Sequence, residues 1–295
     1  MTDKIRPKTS TLILYLLIPV ALFVFSVFVP LIAALVYSFT KYQGPAEVVN
    51  FGINYQDLFV DSIFWKAFSN NLFLVGACIV GQIGFAFIFV LMIQSRLVKL
   101  KGIHRTFGFF PSTISAVSIG FIWEMIYDYK NGIINWVFDA IGREDLKRIW
   151  LGEEDTIMLV LSIPLIWQWI GYYMVILLSA ISAIDTEIFE VAEIDGANGV
   201  QRAIYIVLPL IKNTLLVCVT LCIAGNMKAF DNIYVMTAGG PGTSSMVMAM
   251  YGYQQFQYGD LGYSSTVSVA IFILSLLVIG GAQWLIKGLT KKSDY

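Results

Sequence analysis

Six long stretches of this chain carry no charged side chain. Thr9–Thr40 runs 32 residues without Asp, Glu, Lys or Arg. Ala67–Ser95 and Thr156–Ile184 run 29 each, Leu261–Ile286 runs 26, Thr106–Trp123 runs 18 and Asn213–Met227 runs 15. A helix crosses a bilayer core with about 20 apolar residues, so each stretch is long enough or nearly so. A single run of this kind reads equally well as a buried core helix. Six of them, divided by polar loops, do not fit inside a soluble domain. The chain is 13% charged, against about 25% in ordinary domains, and so lacks the polar surface to dissolve one. Helices satisfy their own backbone in lipid, and the runs do not alternate as barrel strands would. The expected fold class is therefore an all-α membrane protein with six transmembrane helices. They are placed at Leu12–Tyr37, Leu72–Gln94, Phe107–Ile126, Ile157–Ile181, Ile204–Met227 and Val267–Ile286. The first is too long for a signal-peptide core of about 7–15 residues, and is kept as a span kinked at Pro19 or Pro30.

Lys and Arg set the expected orientation. With the N-terminus inside, the inner segments hold Lys4, Arg6, Lys8, Arg96, Lys99, Lys101, Arg105, Arg202, Lys212, Lys287, Lys291 and Lys292, which is 12 of 19. The outer ones hold Lys41, Lys66, Lys130, Arg143, Lys147, Arg148 and Lys228. Acids lean the other way, with Glu153, Glu154 and Asp155 together on the outside. Both termini are expected in the cytoplasm. On this layout residues 1–11 form an inner segment, 12–286 the six-span domain, 182–203 a cytoplasmic loop within it, and 287–295 an inner tail.

Chemistry-bearing constellations are sparse. Cys78, Cys218 and Cys222 all fall in spans and read as small apolar residues. His104 stands alone in a basic loop. There is no phosphate-binding loop, no Gly-x-Ser-x-Gly elbow and no His-Glu-x-x-His. The expectation is no catalytic residue, no metal and no cofactor on this chain, and nothing calls for nucleic acid. Ionisable residues deep in the spans, the mark of an ion-coupled carrier, are nearly absent. If the chain moves a solute, its energy comes from elsewhere.

The loop Ser182–Ala203 is built to be structured. Asp185 can cap a helix, with Glu187 in its first turn. Ile188, Val191 and Ala192 share one face; Glu187, Glu190 and Glu193 share another. Gly196 can end this helix, and Asn198 can cap a second through Gln201 and Tyr205 to Leu208-Pro209. One reading is a docking element for another protein. The other is an amphipathic linker resting on lipid, against which three glutamates on one face argue.

These residues resemble a known motif. Glu190, Ala192, Asp195, Gly196, Ala197, Ile206, Leu208 and Pro209 stand in register with the EAA loop of ABC importer membrane subunits. Val191 replaces the first Ala of that pattern, and Ala203 stands where an aromatic is frequent. The stretches Asn131-Gly132, Trp150-Leu151-Gly152, Trp167-Gln168-Trp169-x-Gly171-Tyr172 and Thr237-Ala238-Gly239-Gly240-Pro241-Gly242-Thr243 resemble sugar permeases of the maltose and glycerol-phosphate type, in the first of their two membrane subunits. The resemblance implies a type I ABC importer permease. Its coupling loop (Glu190, Ala192, Asp195, Gly196, Ala197, Asn198, Leu208, Pro209) would sit in a groove of a cytoplasmic ATPase dimer, which binds ATP and Mg. It also implies a second homologous permease, an extracytoplasmic solute-binding protein docked near Ala238–Gly242, a sugar cargo, and residence in the lipid of a prokaryotic cell membrane. By itself Ala238–Gly242 reads as a flexible turn.

Carbohydrate sites combine aromatic faces with amides that read hydroxyls. The fourth span offers Trp167, Gln168, Trp169, Tyr172 and Tyr173. The fifth offers Asn226, with Asp231 and Asn232 just beyond it. The plainer accounts are an aromatic belt at the headgroups for the rings and helix–helix hydrogen bonding for the amide. In the maltose-type relatives a sugar lies against the Gly of the Trp-x-Gly stretch and against the fifth core helix; Gly171 and Asn226 match those positions, whereas Cys222, Gly225 and Ala229 depart from that pattern. The expected pathway set is Trp167, Gln168, Gly171, Tyr172, Asn226, Asp231 and Asn232, for an oligosaccharide. The alternative function is a stand-alone secondary carrier or channel for a small polar solute.

Overall fold

The computed structural model describes residues 9–43, 46–49, 52–95 and 98–291. Lys4, Arg6, Lys8, Arg96 and Lys292 of the orientation argument lie outside the described residues. Contacts divide the chain into two compact units, one holding the residues up to 61 with 252–270, the other holding 62–251 with those from 271 onward.

The first unit opens with a helix in two parts, α1 (Thr9–Phe23) and α2 (Val29–Tyr37), joined by a π turn at Val24–Phe28. Pro30 opens α2 and has no N–H for the preceding turn, so the helix loosens just before it rather than at Pro19. The stretch Thr11–Tyr37 buries none of its most apolar window, a surface that lipid or another chain has to cover. A short antiparallel hairpin, β1 (Thr40–Gln43) with β2 (Ala46–Val49), and α3 (Ile53–Val60) follow. Buried polar bonds fasten the end of α2. Asn54 Nδ2 donates to the carbonyls of Ser38 (3.1 Å) and Thr40 (2.9 Å), and Thr266 Oγ1 donates to Ser38 O at 3.1 Å. Tyr263 donates its hydroxyl to Asp61.

The second unit begins with α4 (Ser62–Cys78), a π segment Ile79–Gly84 and α5 (Phe85–Gln94), one continuous apolar helix. It starts ten residues before the expected Leu72, because Asn70 and Asn71, which read as the polar edge of a span, lie inside the helix and are buried. The expected third span is broken instead of straight. It consists of α6 (Lys101–Phe109), a 3-10 turn at Phe110–Thr113 and α7 (Ala116–Tyr127), bent by 98°. Pro111 opens that turn and Ile114–Ser115 leave the helical region. A short helix, α8 (Ile133–Ala140), follows; Asn135 Oδ1 accepts from Trp150 Nε1 (3.0 Å), and its Nδ2 donates to Tyr129 O and Arg148 O. In the same segment Asp139 bonds Lys147 at 2.8 Å and raises the ammonium pKa.

The helix α9 (Ile157–Ser182) is the hub. Half of its most apolar window is buried, at positions such as Leu161, Leu165, Gln168, Met174, Leu178 and Ile181 that follow helical spacing on a broad face. It packs against α4, α5, α6, α7 and two later elements. Pro164 leaves the carbonyl of Val160 without its helical donor, and Tyr127 supplies one through its hydroxyl at 3.0 Å. Then come α10 (Thr186–Ile194), α11 (Gly199–Arg202), a π turn Ala203–Val207, α12 (Leu208–Leu210), α13 (Lys212–Asn226), α14 (Asp231–Thr237), α15 (Met248–Gln257) and α16 (Leu261–Lys291). The expected fifth span is bent too. Gly199–Leu210 and Lys212–Asn226 meet at 77° around Ile211, two residues after Pro209. Among the described residues four helices are thus long and apolar enough to cross a membrane, and the two bent pairs, if each is one span, bring the number to six.

Candidate functional site

Two places gather the residues singled out by the sequence. The first is a cavity of about 300 Å³ beside the end of α13. The helix stops at Asn226, where Lys228 N bonds back to Gly225 O and Ala229 N to Asn226 O, and α14 restarts at Asp231. The interruption leaves room that a straight helix would fill. Tyr172, Asn226, Asp231 and Asn232 line it, as do Trp169 and Tyr173. Trp169 and Tyr172 meet edge to face at 5.7 Å, and Tyr172 and Tyr173 at 5.2 Å.

The amides form an ordered set. Asn232 Nδ2 donates to Gln168 Oε1 at 3.2 Å, and Gln168 Nε2 donates to Ile114 O at 3.3 Å. Gln168 therefore joins the break between α6 and α7 to the helix after the other break. Asn226 Nδ2 donates to Cys222 O at 2.9 Å and lies 3.4 Å from its sulfur. Cys222 Sγ in turn donates to Gln82 Oε1 at 3.4 Å, so this thiol belongs to the polar set and is more than an apolar filler.

Besides Gln168, which stands behind Asn232 and off the lining, two expected pathway residues stand elsewhere. Trp167 packs on Trp123 with ring centroids 6.0 Å apart. Gly171 faces the backbone of α6: a Cβ there would land on the Gly108 carbonyl and within 2.6 Å of Phe109 Cα. Residues absent from the expected set also line the cavity. Gln82 was legible, since it is an amide deep inside a charge-free run, the same signal that marked Asn226. Phe230 and Lys228 carried no such signal. The site combines rings, neutral amides and two exposed opposite charges, Lys228 and Asp231. That arrangement can hold a polar solute.

The second place is the loop from α10 to α12. Gly196 takes φ +78°, the left-handed region open to glycine. Its N–H donates to Glu193 O (3.1 Å), and Ala197 N–H donates to Ala192 O (2.9 Å), closing α10 with the paired bonds of a Schellman turn. Asn198 and Gln201 form a reciprocal capping box at 2.8 and 2.9 Å, which starts α11. Arg202 reaches Glu193 across the turn at 3.7 Å. Asp185 occupies the N-cap position of α10 but makes no side-chain cap bond. The expected apolar face is also shifted. Ala192 is buried, as are Ala203 and Val207, while Val191 is 58% and Ile194 85% exposed. A rigid turn thus presents an uncovered apolar tip beside acids: Glu190 stands exposed on α10, Asp195 ends it, and Leu208 and Pro209 close the second helix.

A long hub helix, two bent helix pairs and a rigid exposed loop define the class: a multi-span membrane transport subunit. Residues 91–291 match the family described as binding-protein-dependent transport system inner membrane component, and the chain belongs to it. The probable ABC transporter permease YurN of Bacillus subtilis is 31% identical, over 88% of this chain and 90% of that protein. The arabinooligosaccharides transport system permease AraP of Halalkalibacterium halodurans is 27% identical, over 90% and 84%. The fold is similar to that of a bacterial ABC transporter involved in import of the acidic polysaccharide alginate, with a TM-score of 0.81 at 22% identity, covering 95% of this chain and 96% of that one. Family membership makes this a transport subunit and not an enzyme, and such subunits carry no cofactor.

Proposed function

We propose that this chain forms half of the translocation path of an ATP-driven sugar importer, with an oligosaccharide as cargo. The observation that carries the reading is the cavity at the end of α13, where aromatic rings and neutral amides converge inside a membrane subunit. The names of relatives such as the arabinooligosaccharide permease support the cargo class. In this reading each bent pair is one span, giving six, and both termini are cytoplasmic. Residues 12–286 form the permease domain, and 182–203 its coupling loop. The chain pairs with a second permease, receives cargo from a solute-binding protein, and sits in a prokaryotic cell membrane. ATP and Mg are bound by a partner ATPase dimer.

Within the path, Tyr172 and Trp169 offer stacking faces, and Asn226, Asn232 and Asp231 offer groups for hydroxyls, with Gln168 holding Asn232. Trp167 and Gly171 shape the helix that carries them. On the inner side the tip around Val191 and Ile194 seats on the ATPase. Ala192, Gly196, Ala197 and Asn198 hold its turn, Glu190 and Asp195 make polar contacts there, and Leu208-Pro209 passes its movement to the fifth span.

The test is uptake into proteoliposomes holding the full complex with its binding protein. Uptake of a labelled oligosaccharide is expected to require ATP and to fall about tenfold with Asn226→Ala, the loss of one or two hydrogen bonds to cargo. The recovered complex should be unchanged. ATP-independent uptake by this chain alone would sink the importer reading, and parent kinetics in Asn226→Ala would reduce Asn226 to packing.

A further inference from the structure

Two adjacent amides on α4 hold the α13 side of the cavity break, the loop before α15 and the start of α15. Asn70 and Asn71 are 4% and 0% exposed. Neighbours on a helix point about 100° apart, so the pair reaches two different targets. Asn70 Nδ2 donates to Ser244 O and Met246 O, both at 2.8 Å. Asn71 Nδ2 donates to Asn226 O at 2.8 Å and Met227 O at 3.4 Å, while its Oδ1 accepts from Met248 N at 2.9 Å. Asn71 therefore binds the carbonyls where α13 stops, of which Asn226 O also accepts from Ala229 N–H, and the first N–H of α15, two helix ends at once.

The loop these amides hold is firm in itself. Thr237 Oγ1 lies 2.8 Å from Ser245 Oγ, Ser245 Oγ donates to Gly240 O at 2.6 Å, and Ser244 Oγ donates to Pro241 O at 2.7 Å. The glycines and proline thus build a fixed element and not a loose turn. A displacement of this loop reaches α4 through three hydrogen bonds, two from Asn70 to Ser244 and Met246 and one from Met248 N–H to Asn71, and Asn71 passes it to the Asn226 and Met227 carbonyls.

We infer that Asn71, with Asn70, is a positioning residue that fixes the cargo-side end of α13 according to where the loop 237–247 stands. The inference rests on the reading of the cavity as the cargo path. Neither amide touches cargo; Asn71 acts through the Asn226–Met227 backbone, and Asn70 acts through the loop that precedes α15. The consequence is a separation of binding from turnover, since the amides preorganise the contact that Asn226 makes.

The experiment measures the kinetics of ATP-dependent uptake by the full reconstituted complex, with Asn71→Leu and Asn70→Leu as near-isosteric replacements. Expected is a rise in KM of at least about fivefold for each, the equivalent of one hydrogen bond's net contribution, with Vmax held within about twofold. Amides that merely held the fold would lower complex recovery and Vmax and leave KM alone, and that result overturns the inference. Should Asn71→Leu fail to assemble, Asn70→Leu decides, because it severs the loop arm and leaves the Asn226 carbonyl bonded. Failure of the underlying reading looks different: Asn226→Ala would then leave parent kinetics as well. An altered Asn226→Ala beside unaltered Asn70 and Asn71 variants overturns the positioning role alone.

Discussion

Replacing Gly196 by Pro is expected to lower coupled uptake sharply while leaving the protein in the membrane. The residue sits at φ +78°, and proline is confined near −65°. The substitution also removes the N–H that Gly196 donates to Glu193 O, and so undoes the turn that closes α10. The damage stays local. Around the turn only Ala192 is buried, so the packing of the spans does not depend on it. In a coupled machine the two ends share a free energy of about 1–3 kcal/mol, or 5- to 150-fold in rate or affinity. Uptake should fall by that range while the partner ATPase continues to hydrolyse ATP. Gly196→Ala should show a smaller loss, since a left-handed alanine costs about 1–2 kcal/mol without breaking the bond. Measuring uptake and hydrolysis together in vesicles checks this; substrate-driven uptake at the parent rate in Gly196→Pro would remove the turn from the coupling path.

The second large effect is expected at Gly171. A methyl group there meets only backbone, the Gly108 carbonyl and the Phe109 Cα, which have no rotamer to change. The helices α6 and α9 must part, at a cost of about 1–3 kcal/mol or more. The partner position behaves differently. A Cβ at Gly108 comes 3.2 Å from the methyl end of Met174, which can swing aside. Gly171→Ala should therefore lower the melting temperature of the purified complex and its yield, and Gly108→Ala should leave both near the parent. If Gly171→Ala keeps its stability and loses only transport, the glycine contacts cargo instead of setting the helix distance.

Much of this architecture was legible in the chain. The charge-free run Thr156–Ile184 gave the hub helix almost to the residue, because no proline effect there ended it: Tyr127 repairs the gap that Pro164 opens. The turn at Gly196 and the cap at Asn198 were legible because capping is local chemistry. The bends at Ile114 and Ile211 were not, since a run of apolar residues reads alike whether the helix is straight or broken. The prolines near them, Pro111 and Pro209, look the same as Pro19, which sits inside an unbroken helix. The amides divided in the same way. Asn226 and Gln82 stand out within apolar runs, whereas Asn70 and Asn71 sit at the edge of one and passed for its polar boundary. Their partners, the carbonyls at 226, 227, 244 and 246, are more than 150 residues away, and no local pattern announces them. Which side of α10 is covered was not legible either: helical spacing tells which residues share a side, but not that Ala192 is buried while Val191 and Ile194 stand exposed.

The elbow at Ile211 gives the bent pair Gly199–Leu210 and Lys212–Asn226 the shape of a crank. Backbone bonds run through it on both sides, Ile211 N to Val207 O at 3.0 Å and Leu215 N to Ile211 O at 2.9 Å, so the two arms rotate as one piece. At 1.5 Å per residue the arm Gly199–Leu210 is about 18 Å long and the arm Lys212–Asn226 about 22 Å. A sideways shove of about 3 Å at the tip of the first then turns the piece by about 10° and carries Asn226 by about 4 Å, most of a helical turn's rise. A straight helix pushed along its own axis would only slide. The bend makes a small stroke at one end into a lateral sweep at the other, large enough to open or close a cavity of this size.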